Sequence, residues 1–383
     1  MTGAGQVHRG RRPRRPTSLL AVAVAVAVGS RAVAGCANLD PDPSQDSAPD
    51  LTFGVRQVAD DRQGGFVVVS GTSWARYDGS GAGSQSTGSL PWHAAAVASL
   101  PDGRLVVATS PSGDTQTPQI AVVDLETGAD EVLVGRPEQR PLPLAPGEPV
   151  SPDGTLASDA YLGTVLDVEV MPDGSVVWLE QLWVEFAEQN LFAVRRVAAD
   201  GTLQTVAGRS GDPASVHAAP LAGAAAPETV LDAADPRLAP TPDGSIVVAT
   251  QAWVVRVGTD GVLSELAPGL VACADEPALA EAAPDGLLLV RVARSSALTI
   301  SADSWVVREQ SEAATEHARA ARDAAPCAVV AVRPVSTPAV PAVLEPVQDV
   351  DGSTVVAFYG DGELVAAFPG SGDLSALVRL ARP

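Results

Sequence analysis

The feature that most constrains this chain is a tight turn that keeps returning between two apolar stretches. Pro-Asp-Gly, Asp-Gly or a glycine-rich equivalent sits inside residues 58–69, 97–108, 168–179, 238–249, 279–290 and 346–357, each time with a β-branched run behind it. The third copy is the most complete. Between Leu166 and Gly208 it holds runs at 165–170, 175–179, 191–197 and 202–206, with Asp173-Gly174 and Asp200-Gly201 as two of the turns. Glycine supplies the positive φ of such a turn, and Pro172 presets φ for the residue entering it. Short runs separated by turn dipeptides predict a four-stranded antiparallel meander.

One meander cannot bury both of its faces, and six copies stacked radially can. The sequence therefore predicts an all-β fold, a six-bladed β-propeller with four-stranded antiparallel blades, over residues 51–383. A seventh candidate turn, the Pro-Asp-Gly at 152–154, is followed by Ala157-Ser158-Asp159-Ala160 instead of an apolar run and belongs to a long loop. Insertions are expected at 136–164, 210–236 and 310–325, the last with helix-forming composition. To leave no bare sheet edge, either 374–380 or 52–58 should complete the other end's blade.

Residues 1–35 have the form of an export signal. Arg9, Arg11, Arg12, Arg14 and Arg15 precede an apolar run at 19–28 that is too short to span a bilayer. Val33-Ala34-Gly35-Cys36 resembles a bacterial lipobox, which implies lipidation of Cys36 and a mature chain starting there. Arg31 departs from that pattern, and cleavage after Ala32-Val33-Ala34 would give a secreted protein instead. Residues 36–50, rich in Pro, Asp and Ser, form a flexible tether. The expected location is the extracytoplasmic side of the cell membrane, held by the lipid anchor alone, or the medium if Cys36 carries no lipid.

The six arginines of residues 1–35 face no acid, so their removal takes the net charge from −21 to −27, and the chain has no lysine. So acidic a surface excludes nucleic acid as a partner. Cys273 and Cys327 remain as a pair in an oxidising compartment and are expected to form a disulfide.

The phrase VRRVAADGTLQTVAG, Val194 to Gly208, resembles the NHL repeat: a basic-apolar strand, Asp-Gly, and a strand ending in Val-Ala-Gly. QAWVVRVGTDGVLSELAP, from Gln251, is a weaker copy. The resemblance implies a six-bladed propeller. That family includes binding platforms, extracellular sensor domains and a few enzymes, so it does not choose a function.

Motifs for chemistry are scarce. There is no nucleophile elbow, zincin helix, phosphate loop or C-x-x-C. His93, His217 and His317 are the histidines beyond the leader, and Asn38 and Asn190 the only asparagines, too few to build the carboxylate and Asn metal site of six-bladed lactonases. No metal and no cofactor are expected. Acids such as Glu180, Glu185 and Glu188 cluster near blade three, but their spacing alone selects no catalytic pair.

Three tryptophans share an offset: Trp74, Trp183 and Trp253 each lie nine residues after a turn glycine, Gly65, Gly174 and Gly244. That position is the loop joining the second and third strands, or just past it, on the face that commonly forms a propeller's mouth. Trp at a wet loop suits stacking on a sugar or an apolar partner, with Asp78 and Glu185 nearby; the competing reading has each Trp wedged between blades. The sequence favours a monomeric, non-catalytic envelope lipoprotein that binds a glycan or protein partner through Trp74, Trp183, Trp253, Asp78 and Glu185. The alternative is a propeller hydrolase or lactonase acting on an extracellular sugar substrate. Cys36→Ala is expected to move the protein from the membrane fraction to the soluble fraction; unchanged fractionation, or mature chains starting at Gly35, would contradict lipidation.

Overall fold

The computed structural model describes residues 57–78, 84–109, 117–136, 150–182, 191–208, 222–232, 235–266, 272–273, 278–283, 288–293, 327–332, 344–346, 355–359, 363–369 and 374–380. Cys36 and the tether lie outside them, as do Trp183 and Glu185. The chain is a six-bladed β-propeller. Blade 1 is β1 (Gln57–Asp60), β2 (Phe66–Ser70), β3 (Ser73–Tyr77) and β4 (Ser84–Ser89). Blade 2 is β5 (Ala94–Ser99), β6 (Leu105–Thr109), β7 (Ile120–Val123) and β8 (Asp130–Val134). Blade 3 is β9 (Val165–Val170), β10 (Val176–Gln181), β11 (Leu191–Val197) and β12 (Leu203–Ala207), with the short β13 (Leu231–Asp232) also on β11. Blade 4 is β14 (Arg237–Pro240), β15 (Ile246–Ala249), β16 (Val254–Val257) and β17 (Leu263–Glu265). Blade 5 is β18 (Ala280–Ala282), β19 (Leu288–Ala293), β20 (Cys327–Val332) and β21 (Leu344–Pro346). Blade 6 shows β22 (Val355–Tyr359), β23 (Glu363–Pro369) and β24 (Leu374–Leu380). Neighbouring strands within each blade pair antiparallel.

The turns that the sequence advertises close the first hairpins. In blades 2, 3 and 4 the N–H groups of Gly103, Gly174 and Gly244 donate to the carbonyls of Leu100, Met171 and Thr241, at 3.0, 2.8 and 2.9 Å. Gly174 and Gly244 both have φ of 82°, where any Cβ would be strained. The preceding aspartate locks each turn: Asp173 Oδ1 accepts from Ser175 N–H at 2.9 Å, and Asp243 Oδ1 from Ser245 N–H at 3.1 Å.

Each inner sheet is covered by a blade on both sides, so its strands lose the alternation of a half-exposed sheet. β6 (LVVAT), β7 (IAVV) and β15 (IVVA) are buried throughout. Apolar layers lie between successive blades: Val67, Val69, Val97 and Val107 between blades 1 and 2, Val106, Val168 and Trp178 between 2 and 3, Val177, Phe192, Leu238 and Val248 between 3 and 4, and Val247, Ala280 and Leu288 between 4 and 5. Each fully buried Val or Leu contributes roughly 1.5–3 kcal/mol.

Two expected insertions turn out to share a second half of common design. Ahead of blade 3, Gly154 N–H donates to Leu203 O and Leu203 N–H to Thr155 O, while Gly135 N–H, at the end of β8, donates to Ala157 O. Ahead of blade 4, Gly223 N–H donates to Leu263 O, Leu263 N–H to Ala224 O, and Gly208 N–H, after β12, to Ala226 O. Each segment thus lies along the outermost strand of the blade it introduces and grips the blade before it. The Ser151-Pro152-Asp153-Gly154 turn, which lacks an apolar run behind it, is part of this staple.

The strand exchange expected at closure lies partly outside the described residues. Among the described residues no strand crosses from one end of the chain into the other end's blade: β24 stays in blade 6 and β1 in blade 1. Residues 52–56 lie outside the described residues. The ring closes because β22 lies against both β18 and β1. A disulfide joins Cys273 to Cys327, with Cα atoms 5.7 Å apart and a sequence separation of 54. It ties the approach to β18 to the start of β20 and lowers the entropy of the unfolded chain by roughly 4 kcal/mol in the chain-entropy model.

Trp74 is not at a wet loop. It lies in β3, 7% exposed, among Val69, Leu90 and Val97, with its ring over its cross-strand partner Gly88. A Cβ at position 88 would come within 2.7 Å of the indole. Trp74→Ala is expected to cost about 3–5 kcal/mol, and Gly88→Ala to be destabilising too, by chemical denaturation; an unchanged midpoint for Trp74→Ala would contradict this packing role.

Candidate active site

The axis of the propeller is lined by the innermost strands β1, β5, β9, β14 and β18, each lying against the next. All run in the same direction, so their first hairpins emerge at one end of the channel, and the connections between blades at the other. In β9 the sequence Val165-Leu166-Asp167-Val168-Glu169-Val170 alternates: Val168 and Val170 are buried against blade 2, leaving Asp167 and Glu169 on the opposite face. In β18, Ala280 is buried against blade 4, and Glu281 takes the other face. The three carboxyls are half-buried.

That enclosure is the main influence on their ionisation. Asp167 is raised above the usual aspartate range by burial, opposed by Arg237 and by the N–H groups of Leu238 and Val168, with Asp235 adding a smaller upward push. Glu169 is pushed well above the ordinary carboxylate range by burial, then by the charges of Glu281 and Asp167, against weaker pulls from Arg62 and the Val170 N–H. Glu281 is likewise raised well above it, by burial and then by Asp167, with Arg237 opposing. Like charges that cannot separate influence one another, so the protonation of the two glutamates depends on the charge of Asp167.

A cation sits toward each end of this group. Arg237, at the start of β14, pairs with Asp235 at 3.5 Å, and Arg62, in the turn after β1, pairs with Asp60 at 3.4 Å. Asp167 is fixed most firmly of the three acids. Its Oδ1 accepts from the Val168 N–H at 3.0 Å, and its Oδ2 from the Leu238 N–H of blade 4 at 2.8 Å. Such a set can hold a proton on one carboxyl and leave another ionised, the arrangement needed for paired acid and base catalysis.

The residues expected to form a binding face are arranged otherwise. Trp74 and Trp253 are each 7% exposed, Trp253 stacked on Phe192 at 6.1 Å between blades 3 and 4. They wedge between blades and do not cluster at a mouth, because the offset of nine residues places Trp74 inside the third strand of its blade and Trp253 directly before it, where both rings are directed into the core. Asp78 is half-buried just after β3. His93 is exposed, and His217 and His317 lie outside the described residues. Glu180 is fully buried, but off the channel: its Oε1 accepts from Gly163 N–H at 2.9 Å, and its Oε2 lies 3.7 Å from Arg195 Nη1, an ion pair inside blade 3. An open cavity of about 300 Å³ at the turns of blade 4 is lined by Asp243, Ser245, Arg256 and Asp260. Its charges are already matched. Burial would raise Asp243, but hydrogen bonds from Ser245 and Thr241 and the Arg256 ion pair outweigh it and hold the carboxyl down at about 2.

Sequence reasoning missed Asp167, Glu169 and Glu281. The signal was present: acids alternating with valine or alanine in strands whose counterparts in blades 2 and 4 read AAAVAS and RLAP. Among the described residues no three His, Cys, Asp or Glu side chains come together as metal ligands, so no chemistry is derived through a metal here.

No protein-family model matches the chain, and no curated protein matches it. By structure it is similar to a gluconolactonase from Xanthomonas campestris at 14% identity over 88% of both chains, with a TM-score of 0.46. It is also similar to a luciferin-regenerating enzyme at 13% identity over 86% of this chain and 90% of that one (TM-score 0.45), and to a streptogramin B lyase at 12% identity over 88% and 95% (TM-score 0.40). Likeness at these identities bears on the fold alone. The expectation of a non-catalytic binding platform is corrected from the chain's own residues: the channel strands carry carboxyls, and two of the three tryptophans expected at the mouth are core.

The raised carboxyls make a sign prediction. A glutamate that binds its proton more tightly folded than unfolded favours the fold at acid pH, and that contribution is lost as pH rises from the unfolded value through the folded one. Glu169→Gln or Glu281→Gln is therefore expected to raise stability at neutral pH and to flatten its fall with pH, measured by denaturation across pH 4 to 8. Loss of stability at neutral pH in both variants would contradict the placement of these acids.

Proposed function

We propose that the protein is a hydrolase of propeller fold that opens a lactone or ester of a sugar-like substrate in its central channel, using Glu169 and Glu281 as the acid–base pair. The observation that supports this most is that β9 and β18 turn Glu169 and Glu281 away from the blades on which Val168 and Ala280 pack, in an enclosure that pushes both carboxyls well above the ordinary range. With one of the pair ionised and the other protonated, the carboxylate takes a proton from a water molecule as that water attacks the carbonyl carbon. The protonated partner gives its proton to the departing alkoxide, so the pair exchanges roles within one turnover. Such a step needs no nucleophilic Ser or Cys, and suits a chain without those motifs.

Export and lipidation at Cys36 put this chemistry outside the cytoplasm, where the anchor would keep the enzyme at the membrane. The repeats are of NHL type on this reading, supported by the Val194 to Gly208 phrase and by the matching staples of blades 3 and 4. The test is turnover of a panel of sugar lactones and aryl esters by the mature chain. Glu169→Gln and Glu281→Gln are each expected to lower kcat by about a hundredfold or more without loss of the fold. A panel wholly resistant to the native protein, or Gln variants as active as the native chain, would overturn the proposal.

A further inference from the structure

We propose that Asp167 is the positioning residue of the channel, a carboxylate clamped by backbone N–H groups of β9 and β14 that presents a fixed charge beside the acid–base pair. The inference rests on the acid–base reading of that pair. Its geometric basis is separate: among the described residues Asp167 is the one channel carboxyl with each oxygen held by a backbone N–H, Val168 at 3.0 Å and Leu238 at 2.8 Å. Two N–H donors favour the ionised form and stop the group from turning away. The second donor belongs to the next blade, so the carboxylate also fixes β9 against β14.

The position follows from strand geometry. Asp167 and Glu169 are two residues apart on β9 and share its channel-facing side. Glu281, on β18, feels the charge of Asp167. The other charged groups facing the set are Arg237 and Asp235 from the β14 side and Arg62 from the turn after β1. Both cations have an aspartate of their own, Asp235 at 3.5 Å and Asp60 at 3.4 Å, which reduces what they can offset. A fixed charge in an enclosed channel is screened little, and it acts on the second proton of the pair more than a mobile side chain would.

The role is read from infrared spectra of the full mature protein, following the carbonyl stretch of protonated carboxyls through a pH titration, with Glu169→Gln and Glu281→Gln assigning the bands. In Asp167→Asn the titration midpoint of the assigned Glu bands is expected to fall by about one pH unit, a tenfold loss of proton affinity. Asp167→Ser, whose hydroxyl oxygen also accepts the Leu238 N–H, is expected to behave the same way. Native protein labelled with ¹³C at aspartate carboxyls adds a readout that needs no variant: no protonated aspartate carbonyl should appear at a pH where the protonated glutamate bands persist. Unmoved midpoints in folded variants, or an aspartate that protonates ahead of the glutamates, would reduce Asp167 to a backbone clamp and overturn the proposal. If the midpoints shift as expected but no lactone or ester is turned over, the hydrolase proposal fails while the role of Asp167 as the charge that sets the pair's protonation stands.

Discussion

Six sheets packed face to face around one axis leave their innermost strands nowhere to turn. The outer edge of each pairs with its own blade, the two faces lean on the neighbouring blades, and whatever does not fit there looks into the channel. Valine and alanine fill the faces, as Val168, Val170 and Ala280 do. A polar residue in such a strand has a single place to go, and Asp167, Glu169 and Glu281 meet there for that reason. The raised proton affinity of the two glutamates is a consequence of this crowding. Burial acts first on both and neighbouring acids add to it, while Arg62 and Arg237 are each shared with an aspartate.

The same packing explains what could be read from the sequence. Turns depend on local chemistry, so Asp173-Gly174 and Asp243-Gly244 announce their hairpins without reference to the rest of the chain. Six such turns were enough to fix the blade count. The channel acids were not legible in that way, since a strand of alternating valine and acid also describes a sheet with one wet face. Only the ring turns that pattern into a site, by enclosing the face that would otherwise be wet.

Tryptophan misled for a related reason. A shared offset from the turn glycine identifies equivalent positions in successive blades, but it cannot tell the last residue of a loop from the first residues of a strand. One or two residues decide whether Trp74 meets solvent or the backbone of Gly88, and the structure takes the second course. The long connections hid a further regularity. Gly154 and Gly223 begin equivalent staples along β12 and β17, yet their sequences, Gly-Thr-Leu-Ala and Gly-Ala-Ala-Ala, share little beyond the backbone hydrogen bonds they make. Backbone-mediated packing of that kind leaves a weak trace in side-chain identity.

The account depends on the protonation of two side chains more than on any other feature. A neutron crystal structure of the deuterium-exchanged protein at neutral pH would locate those protons directly. Deuterium on Glu169 or Glu281 beside an Asp167 that carries none is the result expected. Three bare carboxylates would contradict the account, and with it the assignment of this channel as a site of acid–base chemistry.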